Sequence, residues 1–192
     1  MTFLVLLVVI LLSSPRQAPA TLTAEDIAVL TAAIDHRLRP EYLRLRPPAS
    51  SADSVLRVID RTPPNCVPGR PIEPPGCLQS RDVGLLTRTT GNRMFAAHLT
   101  PAIAAELASA FQKANEHASA VPDGRLKNVT LVPAGAPSPQ VVVSRPGYVD
   151  GRHALVYLSF VCGGLCGEGH FILLEKQADI WHVRDVGHLW VS

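Results

Sequence analysis

The chain carries almost no excess of charge of either sign. Its 18 lysines and arginines against 16 aspartates and glutamates leave a formal net charge of +2 over 192 residues. Nucleic acids and anionic membranes recruit proteins through strongly basic surfaces, so this balance gives no electrostatic case for either partner. Neither G-x-S-x-G nor H-E-x-x-H occurs, which removes the usual sequence marks of a serine hydrolase and a zinc protease. There is no internal repeat, and no apolar run reaches the ~20 residues that cross a bilayer. What is there, 47% hydrophobic and 18% charged residues, suits one globular domain long enough to bury a core.

The longest apolar run, Phe3 to Leu12, stands ahead of Ala18-Pro19-Ala20. An apolar core of that length before a small-residue site is the pattern of a secretory signal peptide, although no Lys or Arg precedes it. Residues 1–20 are therefore expected to be a cleaved signal, leaving 21–192 as a single domain. Their removal takes away only Arg16 and lowers the net charge from +2 to +1. Export to a periplasmic or secreted location places the four cysteines in an oxidising compartment, where an even number suggests bridges. Local pairing, Cys66–Cys77 and Cys162–Cys166, is the economical choice; cross-pairing stays open. The first bridge would close a loop at about 62–78 that holds Pro68, Gly69, Pro71, Pro74, Pro75 and Gly76.

Thr23-Ala24-Glu25-Asp26 reads as a helix start, and Ile27, Leu30, Ile34 and Leu38 recur at helical spacing before Pro40, which predicts a stop. Val55 to Ile59 predicts a strand, as does Leu85 to Thr90. The clearest helix opens at Thr100-Pro101, with Ile103, Leu107, Phe111 and Ala114 on one face. Strands then follow: Val129 to Val132, Gln140 to Ser144, His153 to Val161, His170 to Lys176, Ile180 to Val186 and Leu189 to Ser192. Asp150-Gly151 is a hairpin signal, and the short connections favour an antiparallel meander. The expected fold is α+β: one or two helices packed on an antiparallel sheet ending in a C-terminal meander. A helix on a curved sheet, as in cystatin-like or NTF2-like folds, would fit that order.

Candidate sites concentrate near the C-terminus. Cys162-Gly163-Gly164-Leu165-Cys166-Gly167-Glu168-Gly169-His170 reads first as a hairpin loop whose glycines allow positive φ and whose bridge pins a turn. Alternatively, Cys162, Cys166 and His170 could act as thiols or zinc ligands. C-x-x-x-C between strands lacks the helix N-terminus that activates a thiol, and a zinc site would need His153 or His188 brought in by the fold. His182 or His188 with Asp185 could form a base and its orienting partner. Trp181 and Trp190 read as sheet packing or as the lining of a ligand groove.

Several stretches recur together in an order that resembles a group of predicted exported bacterial proteins of unassigned function. They are Leu107-x3-Phe111-x3-Asn115, Ser144-Arg145-Pro146-Gly147-Tyr148, Ala154-Leu155-Val156-Tyr157, the segment Cys162 to Gly169, Leu173-Leu174-Glu175-Lys176, Trp181-His182-Val183 and Leu189-Trp190-Val191-Ser192. The resemblance covers about residues 100–192. It implies a bacterial periplasmic or secreted setting and brings no activity, cofactor or active site. The expectation is thus a non-catalytic exported binding or structural module, without a cofactor, whose partner is a peptide, a small ligand or an envelope protein. The alternatives are a hydrolase using the His/Asp pair, or a thiol or zinc site.

Overall fold

The computed structural model describes residues 21–45, 55–69, 71, 76–89, 93–163 and 166–192. The expected signal segment, 1–20, lies outside the described residues, as do parts of the bridged loop. Thr23 opens the first helix, α1 (Ala24–Leu45), through a reciprocal cap. The Asp26 N–H donates to Thr23 Oγ1 at 3.1 Å, and the Thr23 N–H donates to Asp26 Oδ2 at 2.9 Å. Pro40, predicted to end this helix, lies inside it. An internal proline removes one backbone hydrogen bond, which does not by itself end a helix.

A strand, β1 (Leu56–Ile59), follows, and then a long excursion carries α2 (Ser80–Val83) and α3 (Pro101–Ala114). The stretch predicted as a strand from Leu85 instead begins inside a 3₁₀ turn, Gly84–Leu86, that directly follows α2. Val83 and Leu86 are three apart and both buried, which is helical spacing rather than alternation. Thr100 caps α3 by accepting from the Ile103 N–H at 3.3 Å, with Pro101 in the first turn.

The remaining strands are β2 (Val129–Val132), β3 (Gln140–Val143), β4 (Gly147–Val149), β5 (His153–Gly163), β6 (Cys166–Gln177) and β7 (Ile180–Val191). Among the described residues these make one seven-stranded sheet in the order β2-β1-β3-β5-β6-β7, with β4 beside β5. From β3 onward every pairing is antiparallel, and β5-β6-β7 is the expected meander. The sheet is nevertheless mixed, because β1 runs parallel to both β2 and β3. Parallel neighbours require a long crossover, and residues 60–128 supply one.

The sheet is covered on both sides. Because side chains alternate along β5, Ala154, Val156, Leu158 and Phe160 join Leu30, Ile34 and Leu38 of α1 in one core. Leu155 joins Phe171 and Leu173 of β6, with Leu107, Ala108 and Phe111 of α3, in the other. Phe111 and Phe171 meet edge to face, with centroids 5.3 Å apart. Each such fully buried Leu or Phe contributes roughly 1.5–3 kcal/mol relative to exposure.

The stretch Ser144 to Tyr148 locks these layers together. The Tyr148 hydroxyl donates to Asp26 Oδ1 at 2.8 Å, and Arg145 Nε lies 3.5 Å from Asp26 Oδ2. Burial, and then the Asp26 charge, push the Tyr148 phenol well above its ordinary value, so it stays protonated and donates. Asn115, at the end of α3, accepts from the Arg145 N–H at 2.9 Å and donates to its carbonyl at 2.9 Å. Ser144, fully buried, accepts from the Tyr157 N–H at 2.8 Å. Gly147 is required here for space, since a Cβ would lie 2.4 Å from Phe111 Cα.

Candidate functional site

The Gly-rich stretch around the second bridge is mostly strand. β5 continues to Gly163 and β6 begins at Cys166, so Cys162 and Cys166, with Cα atoms 5.2 Å apart, clasp a hairpin. Positive φ is needed at Gly163, at 102°, but not at Gly167 or Gly169. Those two leave room. A Cβ on Gly169 would lie 2.1 Å from Trp190 Nε1, and one on Gly167 3.2 Å from Trp190 Cζ3. The indole of β7 is laid flat across β6 where β6 has no side chains.

Trp190 Nε1 then donates to the Tyr157 hydroxyl at 3.2 Å, and Tyr157 packs edge-on to Phe171 with centroids 6.1 Å apart. These rings and Leu189 form one side of a groove of about 260 Å³. The other side is the segment Cys77 to Asp82, which includes Gln79, Arg81 and Asp82. The Cys66–Cys77 bridge holds that segment in place, with Cα atoms 4.8 Å apart. Its loop is fastened to α3 by Asn65, whose Nδ2 donates to the Gln112 carbonyl at 2.7 Å and whose N–H donates to the Asn115 carbonyl at 2.7 Å. The segment that follows the bridge, Cys77 to Asp82, therefore serves as a wall. Both local cysteine pairings read from the sequence are present.

The catalytic candidates are divided by the sheet. Cross-strand partners share a face, and Asp185 pairs with Leu173 and His182 with Glu175, both on the α3 side. His188 pairs with His170, on the α1 side. Asp185 takes a different partner: its Oδ2 lies 3.4 Å from His98 Nε2, beside a wider cleft of about 880 Å³ that also carries Arg88 and Arg93.

The zinc candidates also regroup. The Cys162 and Cys166 sulfurs are joined to each other, and His170 stands with other residues. His170 is fully buried, with Nε2 3.1 Å from Glu168 Oε1 and its ring 4.6 Å from that of His188 at 76°. Arg37 of α1 approaches the other Glu168 oxygen at 3.3 Å. Trp181 is buried on this α1 side, donating to Glu25 Oε1 at 2.8 Å and tilted against Tyr148. Of the two tryptophans, Trp190 is the one that lines the groove described above.

Sequence reasoning missed Tyr157, Gln79, Arg81 and Asp82 as groove residues, and Glu168 and Arg37 as neighbours of His170. One signal was present. In Gly167-Glu168-Gly169-His170 the small and ionisable residues alternate, and on a strand that period assigns glycines to one face and ionisable groups to the other. Compared with known proteins, the chain matches no family model, no curated protein and no solved structure.

Proposed function

We propose that this protein is an exported, non-catalytic binding module that takes a short peptide by one ring-bearing side chain in the groove between Tyr157, Trp190 and the Cys77–Asp82 wall. The observation that carries this reading is the seating of Trp190. Its indole lies over two glycines and is tied to Tyr157, yet the residue remains 37% exposed. An aromatic ring fixed in position but left open gives contact area at small entropic cost, as binding surfaces require. The volume of about 260 Å³ suits one side chain rather than a whole ligand. Arg81 and Asp82, 3.6 Å apart as an ion pair, supply one charge of each sign to the groove lining, which a peptide's polar groups can share. Because β7 ends the strand order, its outer edge is placed to pair with an extended main chain.

Two disulfides fit an oxidising compartment, which supports export. Among the described residues no helix is long and apolar enough to cross a membrane. The test is calorimetric titration with short peptides carrying Phe, Tyr or Pro at the central position. Saturable binding is expected, and Trp190→Ala should weaken it about 30-fold, in keeping with the loss of an interface tryptophan. Absence of binding across the panel, or binding unchanged by Trp190→Ala, overturns the reading.

A further inference from the structure

On the opposite side of the same strand, we infer a divalent-metal site of the zinc type formed by Glu168, His170 and His188. Among the described residues these are the three whose ligand atoms converge, all within 4.8 Å of one another. The donor set, two imidazoles and one carboxylate, is one that binds zinc in tetrahedral geometry with a fourth position left for water. Glu168 Oε1 and His170 Nε2 are already 3.1 Å apart. Zinc–ligand bonds near 2.0–2.1 Å set tetrahedral donors roughly 3.3 Å apart, close to the spacing this pair already has. His188 closes the remaining distance.

The backbone explains why His188 faces this pair. The β6–β7 ladder shifts register between Gly169 and His170, so Leu189 is extra and His188 is brought opposite His170 on the α1 side. A bulge that re-aims one side chain is a recurring feature beside functional sites. His170 is fully buried and set by the core, whereas His188 is exposed on the edge strand and free to swing by a rotamer change. One fixed ligand and one adjustable ligand, with solvent beyond His188, leave the fourth position on the outer side. Arg37 opposes a cation because its guanidinium is 3.3 Å from Glu168 Oε2. Binding therefore draws Glu168 partly away from Arg37, which makes the site weaker than a structural zinc centre.

The experiment titrates zinc into the purified, chelator-treated protein by calorimetry, with the histidine ring resonances followed by NMR. One zinc per chain is expected, with the His170 and His188 signals moving together. His188→Ala, at an exposed position, should keep the fold by circular dichroism and weaken zinc by about 100-fold or more, exceeding the 10–100-fold typical of a supporting residue. Glu168→Gln provides a second variant with the same expected loss. The inference is overturned if the wild-type protein shows no saturable uptake. Binding that survives His188→Ala, or zinc shifts confined to other histidines, also overturns it. Peptide binding at Trp190 is measured separately, so either reading can fail without the other.

Discussion

On one side of β6, Gly167 and Gly169 contribute nothing, and an indole from the next strand occupies the space they leave. On the other side, Glu168 and His170 project into a cluster completed by His188 and Arg37. The two surfaces share the same backbone hydrogen bonds and differ only in parity along the strand. Subtracting side chains makes a seat for a large ring, whereas adding ionisable ones makes a polar pocket. A strand buried on both faces can thus carry two unrelated chemistries back to back.

The sharpest way to break the glycine side is at Gly147 rather than Gly169. A Cβ at 147 meets the backbone of α3, at 2.4 Å from Phe111 Cα, and a helix backbone cannot step aside. We expect Gly147→Ala to cost more than about 3 kcal/mol in denaturant unfolding, at or beyond the upper end for overpacked cores. Next comes the wall of the groove. Replacing Cys66 and Cys77 by serine releases the bridged loop and should cost about 2–3 kcal/mol. It should also weaken peptide binding while leaving zinc binding in place.

Gly169→Ala has a smaller effect on stability, about 1 kcal/mol, because the atom it strikes belongs to a half-exposed ring that can swing outward. Its signature is a red-shifted Trp190 emission and loss of the groove, with the Glu168–His170–His188 cluster unchanged. The smallest effect concerns the α1 side. The hydrogen bond from Lys176, and then that from Trp181, hold the Glu25 carboxyl below its usual value. On the α3 side Arg152 does the same for Glu175. A depressed carboxyl contributes stability that is complete above its ordinary value of 4.5 and is lost as the pH falls below it. Acid unfolding should therefore be shallower in Glu25→Gln, with the difference confined to pH below about 4.5. Equal pH slopes in the two proteins would show that Glu25 does not carry this stability.

Local signals in the sequence were legible, and long-range ones were not. Thr100-Pro101 and the apolar spacing Ile103–Leu107–Phe111 announce α3 because caps and periodicity act within one element. The meander and the two short cysteine loops were readable for the same reason. The parallel placement of β1 was not, since it depends on where a 69-residue excursion, 60–128, brings the chain back. Pro40 misled because a helix held by its buried face can carry one missing hydrogen bond. Gly167 to Gly169 reads as part of a loop ahead of the strand at His170, because glycine is commonest in turns. Its alternation became meaningful only with Trp190 laid across it. The sequence alone allows His188 to join His170 only if the fold carries it there, and a register shift that no local pattern announces does so.

The ties from Glu25 to Lys176 at 3.0 Å and to Trp181 at 2.8 Å span 151 and 156 positions of sequence. Stitching the first helix to the last hairpin has a temporal consequence. A ribosome emits α1 long before the strands that receive it, and loop closure over such a distance is slow. The N-terminal helix must wait, unsupported, until nearly the whole polypeptide has been made. Through most of its synthesis this chain therefore has no finished core, and the closing of that core is a late event.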